Sequence, residues 1–253
     1  MEFLKPDWPA PSSVRAIVTT RTGGVSQAPY ASLNFGDHVG DSFEAVATNR
    51  SRLRTVLPAE PLWMKQVHGT LVSTALSRDN NQDIEIEADA AITSKVNEVL
   101  AVMSADCLPV FFTNVAGTIV GVAHAGWRGL CFGVLENTVA SLLETSPATK
   151  PDELLAWLGP AIGPNAFEVG EDVYAAFLQS GHLLPPGAFV AIPECPGKYL
   201  ANLYLLARAR LLACGLTQID GGDLCTVSDQ ERFFSHRRDA ISGRFASLIW
   251  LTP

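Results

Sequence analysis

Apolar residues in this chain gather in short, strand-length runs separated by turn signals. Two such runs lie back to back, at 99–104 and 118–123. The first leads into Asp106 and Cys107, the second into His124 and a glycine-flanked Arg128. Read as neighbouring strands, they bring a thiol and an imidazole to matching ends. The β-branched run 14–20 predicts a strand stopped by Arg21-Thr22-Gly23-Gly24. Over 42–57, Phe43, Val46, Leu53 and Val56 fit one helical face, with Asp41 or Ser42 as cap and Arg50, Arg52 and Arg54 pointing outward.

Further along, 61–67 reads as a strand ending at His68-Gly69, 70–75 as extended chain, 78–87 as polar surface loop and 88–92 as another strand. Leu130, Val134, Leu135, Val139, Leu142 and Leu143 keep helical spacing to about residue 144. A buried strand at 154–158 runs into a double turn, 159–164. Then come a short helix at 171–179, irregular chain at 182–196, and a helix at 199–214 closed by Gly215. Late strands are expected at 217–219, 225–227 and 245–251. No repeat, linker or low-complexity tract divides the chain, so residues 1–253 are expected to form one domain. Strands outnumber helices without alternating with them, which predicts α+β architecture with mixed sheets.

Composition narrows the function classes. The chain has 253 residues and a formal net charge of -8, which argues against nucleic-acid binding and leaves an anionic small substrate open. No apolar window approaches the roughly 18 residues of a membrane span, and the start lacks the pattern of a secretory signal. A soluble cytoplasmic protein without nucleic-acid or membrane partners is expected. The five cysteines then read as reduced thiols.

Three residues of metal-ligand type follow apolar runs: His68, Cys107 and His124. Two imidazoles and a thiolate suit zinc with a fourth position open. The same atoms suit a cysteine nucleophile with a histidine base. A lone histidine after a strand is more often structural, and Cys107 alone could be a small buried hydrophobe; the threefold coincidence favours chemistry. Asp106, adjacent to Cys107, is expected to play a supporting role because neighbouring strand residues face opposite ways. Gly126-Trp127-Arg128-Gly129 opens a helix, and Arg128 offers a fork for phosphate or carboxylate. Arg237, within Ser235-His236-Arg237-Arg238-Asp239, and Arg244 form a second cationic cluster. Asn34, with His38 and Asp41, suits loop scaffolding or substrate contact.

The strings TTRTGGVS, SLNFGDHVGD, KQVHG, SADCLPV, AHAGWRGLC, LGPAIGPNAFEVG and FFSHRRD occur in order along nearly the whole chain. With them the chain resembles the bacterial broad-specificity purine nucleoside phosphorylases, also called multicopper polyphenol oxidase or laccase-domain proteins, some of them peptidoglycan editing factors. The resemblance implies two packed mixed sheets flanked by helices in α/β/β/α layers, a cytotoxic necrotizing factor-like cysteine hydrolase fold. It implies zinc on His68, Cys107 and His124, with copper possible at the same site. The implied activity is phosphorolysis of adenosine, inosine and methylthioadenosine to free base and ribose 1-phosphate, with adenosine deamination beside it. Arg128, Arg237, Arg244 and Asn34 are the candidates for phosphate and substrate. The implied partners are a purine nucleoside and phosphate, and the chain is expected to be a monomer or homodimer. Rival readings are copper-dependent phenol oxidation, for which five histidines are few, and a cysteine amidase acting on peptidoglycan precursors. Two positions depart from the family pattern: His236 stands where an aromatic is usual, and Asn202 where Asp is usual.

Overall fold

In the computed structural model, which describes residues 1–79, 86–182 and 184–253, the long apolar strands lie in two stacked sheets. The five-stranded sheet runs β1 (Phe3–Leu4), β2 (Val14–Thr19), β14 (Phe245–Leu251), β6 (Val99–Ser104), β3 (Pro61–Leu62) and is antiparallel except at β3–β6. The six-stranded sheet runs β13 (Gln218–Gly221), β9 (Leu154–Leu158), β7 (Leu108–Asn114), β8 (Val120–Ala125), β5 (Ala90–Thr93), β4 (Val72–Ser73), parallel only at its two outer pairs. A small antiparallel sheet holds β10 (Glu168–Gly170), β12 (Lys198–Ala201) and β11 (Phe189–Ala191). The helices are α1 (Phe43–Arg54), α2 (Ala75–Asp79), α3 (Trp127–Phe132), α4 (Val134–Thr145), α5 (Glu171–Gln179), α6 (Leu203–Ala213) and α7 (His236–Asp239).

The central strands are apolar on both faces because each sheet is covered twice. Along β6, Leu100 and Val102 point into the layer between the sheets, where they meet Phe111, Val122, Trp157 and Phe245. Val99, Ala101 and Met103 point the other way, towards Leu53 and Leu57 of the α1 region. Beyond the six-stranded sheet, Leu108, Val110 and Phe112 meet Leu135, Leu142 and Leu211 of the α4 and α6 layer. The architecture is a single α+β domain of mixed sheets with helices outside them.

Several local expectations change. Residues 108–114, unassigned from sequence, form β7 at the heart of the six-stranded sheet. The runs at 99–104 and 118–123 are therefore not neighbours: β6 and β8 belong to different sheets, and β8 extends to include His124. The single helix expected at 130–144 is two, divided at Gly133 with φ 103°. The helix expected from 199 begins at Leu203, after β12 and an Asn202 cap whose side chain accepts from Leu205 N–H. In the 61–67 and 70–75 spans only Pro61–Leu62 and Val72–Ser73 pair as strands. The 182–196 span contains β11, and 225–227 contributes a single bridge, Cys225 to Ala161. Residues 80–85 of the expected polar loop lie outside the described residues, but Arg78 is buried and bonded to Ser73, Ile92 and Glu98. Phe43 and Val56 are exposed rather than on an inner face. Arg50 turns inward, donating to the Phe35 carbonyl and lying over Trp63.

Asn49 locks α1 to the 25–34 loop. Fully buried, it donates to Ser26 Oγ, Ser32 O and Asn34 O, and accepts from Val25 N–H. Asn49→Ala leaves these partners unmatched and should lower the free energy of unfolding by about 2–4 kcal/mol, measured by urea denaturation.

Candidate metal centre

The chain crosses from one sheet to the other through three residues, Ala105, Asp106 and Cys107, between β6 and β7. Cys107 thus stands at the start of β7. His124 lies on β8 opposite Pro109, the second residue of β7. His68 comes from the loop after β3, which two side chains hold in place. The Gln66 amide donates to Met103 O and accepts from Met103 N–H, fastening the loop to β6. The Asp89 carboxylate accepts from the N–H groups of Val67, His68 and Gly69 at 3.1, 3.0 and 2.7 Å. His68 itself has φ 60°, a costly conformation that this cage of bonds sustains.

The ligand atoms of His68, Cys107 and His124 lie within 4.8 Å of one another. Cys107 Sγ is 3.7 Å from His68 Nε2, and the two rings meet nearly edge to face, 4.9 Å between centroids. A tetrahedral metal with bonds to nitrogen and sulfur of about 2.0–2.3 Å sets its ligands roughly 3.3–3.8 Å apart, so the trio needs to close by no more than about 1.5 Å. His124 Nδ1 is 2.9 Å from Asp89 Oδ1, which leaves Nε2 to ligate, as in carboxylate–histidine–metal arrangements. Gly126 completes the fit. A Cβ there would come within 2.8 Å of His68 Cδ2 and 2.9 Å of Cys107 Sγ, so only glycine lets the backbone pass beneath the trio.

Charge is distributed to match. Burial pushes the Cys107 thiol up, but the positive charge and hydrogen bond of His124, aided by His68, outweigh it and hold the thiol at about 6. Burial lowers His124, yet the Cys107 thiolate and Asp89 raise it to about 9. Burial would also raise the Asp89 carboxyl, and the hydrogen bond and charge of His124, with the amides of Gly69 and Val67, keep it below its ordinary value. Without metal, then, the thiolate–imidazolium pair exists between those two values. Below about 6 Cys107 is protonated, and above about 9 His124 loses its charge.

Two cavities open on the trio. A polar one of about 310 Å³ is lined by His38, Gln66, His68, Ser104, His124 and Arg244, among others. An apolar one of about 150 Å³ is lined chiefly by Trp127, Ile162, Phe167 and Leu203, with Arg237 among its other lining residues. Ala105, Cys107 and His236 border both.

The remaining candidates are placed as follows. Arg244 faces the polar cavity; its Nη1 donates to Ser242 O and Gly243 O, and its burial depresses the guanidinium below its ordinary value. Arg237 reaches the rim of the apolar cavity, 5.6 Å over the Phe167 ring. Arg128 is exposed, lies 4.4 Å over the Trp127 ring, and lines neither cavity. Asn34 also stands outside both cavities. Its amide nitrogen donates to Gly36 O and Asp41 Oδ2, and its oxygen accepts from the N–H groups of Gly36 and Arg244. Every polar atom of that side chain is committed to protein, so Asn34 shapes the site by holding the Arg244 backbone. Asp106 supports the site in the same way, accepting from Thr226 Oγ1 and from Arg237 N–H at 2.6 Å each.

Sequence reasoning passed over Asp89 and Gln66, and took Gly126 only as part of the turn that opens a helix. For Asp89 a signal exists: a carboxylate inside the apolar string Ala88–Ile92 (ADAAI) must find partners when buried. Gln66 and Gly126 gain their meaning only when distant segments meet.

The chain as a whole is similar to known proteins. The family model described as multi-copper polyphenol oxidoreductase laccase matches residues 15–252. A Pseudomonas aeruginosa protein named purine nucleoside phosphorylase is 52% identical, over 98% of both chains. The Escherichia coli K12 protein named purine nucleoside phosphorylase YfiH is 49% identical, over 99% of both. Among solved structures, a Neisseria meningitidis protein of family DUF152 superposes with a TM-score of 0.90 at 46% identity, covering all of both chains.

Two outcomes follow from the geometry. In metal-free protein, the ultraviolet thiolate absorbance lost in Cys107→Ala should titrate near 6, not near the ordinary thiol value of about 8.5; His124→Ala should move that midpoint upward. Asp89→Asn, which weakens the support of His124, should lower metal affinity roughly 10- to 100-fold in a chelator competition assay.

Proposed function

Because the chain belongs to the multi-copper polyphenol oxidoreductase laccase family, some of whose members are named purine nucleoside phosphorylases, we propose that it is a zinc-dependent purine nucleoside phosphorylase. One observation carries this reading. A trio fit for a metal lies where an apolar pocket meets a cavity with a half-buried cation, Arg244. A purine nucleoside and phosphate together are such a ligand pair, flat and apolar at one end and anionic at the other.

His68, Cys107 and His124 would hold the zinc, which when bound supplies Lewis acidity to an oxygen or nitrogen of the substrate. Two imidazoles and a thiolate suit zinc, and copper could enter the same ligand set. The base occupies the apolar pocket between Trp127, Ile162, Phe167 and Leu203. Arg244, with Nε and Nη2 uncommitted among the described residues, receives phosphate from the polar side, and the role first considered for Arg128 passes to it. A phosphate oxygen bonds to C1′ as the C1′–N9 bond breaks; the base leaves with the electron pair and takes up a proton. Apolar walls keep water from competing as the nucleophile. Inosine, adenosine and methylthioadenosine are the proposed substrates, and adenosine deamination is proposed as a side reaction of the same cavity.

A second reading has its own support. The depressed Cys107 thiol beside a charged His124 is what a cysteine nucleophile needs, as in an amidase acting on a cell-wall precursor. Phenol oxidation by several coppers has less: among the described residues, one His/Cys/Asp/Glu group is arranged to hold a metal.

Zinc-loaded protein should release hypoxanthine from inosine only when phosphate is present, and chelation should abolish the release. No base release from any purine nucleoside at full zinc occupancy would sink the proposal. Activity that survives metal removal and disappears in Cys107→Ala would favour the nucleophile. Arg244→Gln should raise the KM for phosphate by at least about tenfold, in line with loss of a charge-assisted hydrogen bond to the anion, with zinc content unchanged.

A further inference from the structure

The residue bordering both cavities besides Ala105 and Cys107 is His236, and nothing in the metal centre or the anion site uses it. Its position is set with care. Ser235 caps the turn by accepting from Arg238 N–H. Asp106, next to Cys107, accepts from Arg237 N–H at 2.6 Å. Arg238 donates to Thr226 O, Val227 O and Phe233 O. The backbone on both sides of His236 is thus tied down, while among the described residues its ring has no hydrogen-bond partner and stands exposed.

The other polar groups around the junction are engaged. Gln66 is paired with Met103, Ser104 Oγ with Cys107 O, Asp106 with Thr226 and Arg237, and His124 with Asp89. Arg244 faces the polar cavity alone and Arg237 the apolar one. At the seam itself, among the described residues, His236 is the side chain with uncommitted hydrogen-bonding capacity outside the ligand trio. A ligand spanning both cavities has its middle there. If the base lies in the apolar pocket and phosphate beside Arg244, that middle is the ribose.

We propose that His236 is a specificity-determining residue that hydrogen-bonds a ribose hydroxyl of the bound nucleoside. The inference rests on the phosphorylase reading for the identity of the ligand. A rigid turn carrying a ring with a free donor and acceptor suits an alcohol, which needs both. The ring would read the sugar, leaving the identity of the base to the apolar pocket.

Calorimetric binding to zinc-loaded protein without phosphate tests this, using inosine, 2′-deoxyinosine and 3′-deoxyinosine. His236→Phe should weaken inosine about 3- to 10-fold, the range of one hydrogen bond, and leave unchanged the deoxy analogue that lacks the contacted hydroxyl. His236→Asn, which keeps a donor and an acceptor, should recover part of the loss. Equal weakening of all three ligands in His236→Phe, or no weakening of any, would overturn the proposal. Turnover judges the underlying reading separately. Wild-type protein that binds inosine with this His236 dependence yet releases no base with phosphate would leave the ribose contact standing and remove the phosphorylase. Wild-type protein that binds none of the three would overturn both.

Discussion

The carboxylate of Asp89 is the constraint on which the site depends. Fully buried, it gathers three consecutive backbone amides and one imidazole. A buried carboxylate without partners is expensive, so the fold forms around it only when the 67–69 loop and β8 arrive together. That requirement puts His68 and His124 side by side before any metal binds. The charge then passes along: Asp89 raises His124, and His124 lowers Cys107. The ligand thiol is therefore ionised at neutral pH, the state in which a thiol binds metal.

Much of the fold was legible because the physics that shapes it is local. The β-branched run at 14–20 and the apolar run at 99–104 became β2 and β6, and Ser42 caps α1. The misses share a cause in tertiary context. Residues 108–114 carry no assignment from sequence, and Pro109 within them cannot donate to a sheet, yet its carbonyl accepts from Gly159 N–H and the strand survives. The 199–214 stretch is periodic enough for one helix, but Lys198–Ala201 pairs with β10 and β11, and pairing overrides propensity.

The trio was legible for a different reason. Histidine and cysteine after apolar runs are few in this chain, so three of them stand out without any geometry. Their supports do not stand out. Gln66 and Gly126 act on groups distant in sequence, and no local pattern encodes which carbonyl or sulfur they will meet; Asp106 alone is expected from sequence to support the site, from its adjacency to Cys107. Asn34 illustrates the converse. Its residue type suits a substrate contact, but in the fold its four bonds all go to protein.

The location of the site at the crossing between the sheets has a physical logic. Of the trio, His124 lies within β8, whereas Cys107 takes a place where the backbone leaves one sheet before joining the next. The three-residue crossing provides it, at the cost of placing Asp106 at φ 91°. Such a conformation persists only where the surroundings over-determine it. Here Asp106 O accepts from Ile162 N–H, and its carboxylate holds Thr226 and Arg237. The same residue that tolerates the strain thereby fixes the turn bearing His236. It joins the six-stranded sheet, the α7 turn and the ligand Cys107 in one rigid unit. Arg244, one residue before β14 of the other sheet, closes the cavity from across the seam. The trio thus draws on both sheets, Cys107 and His124 from the six-stranded one and His68 from the loop after β3 of the other, and its distance from Arg244 is set by how the sheets stack.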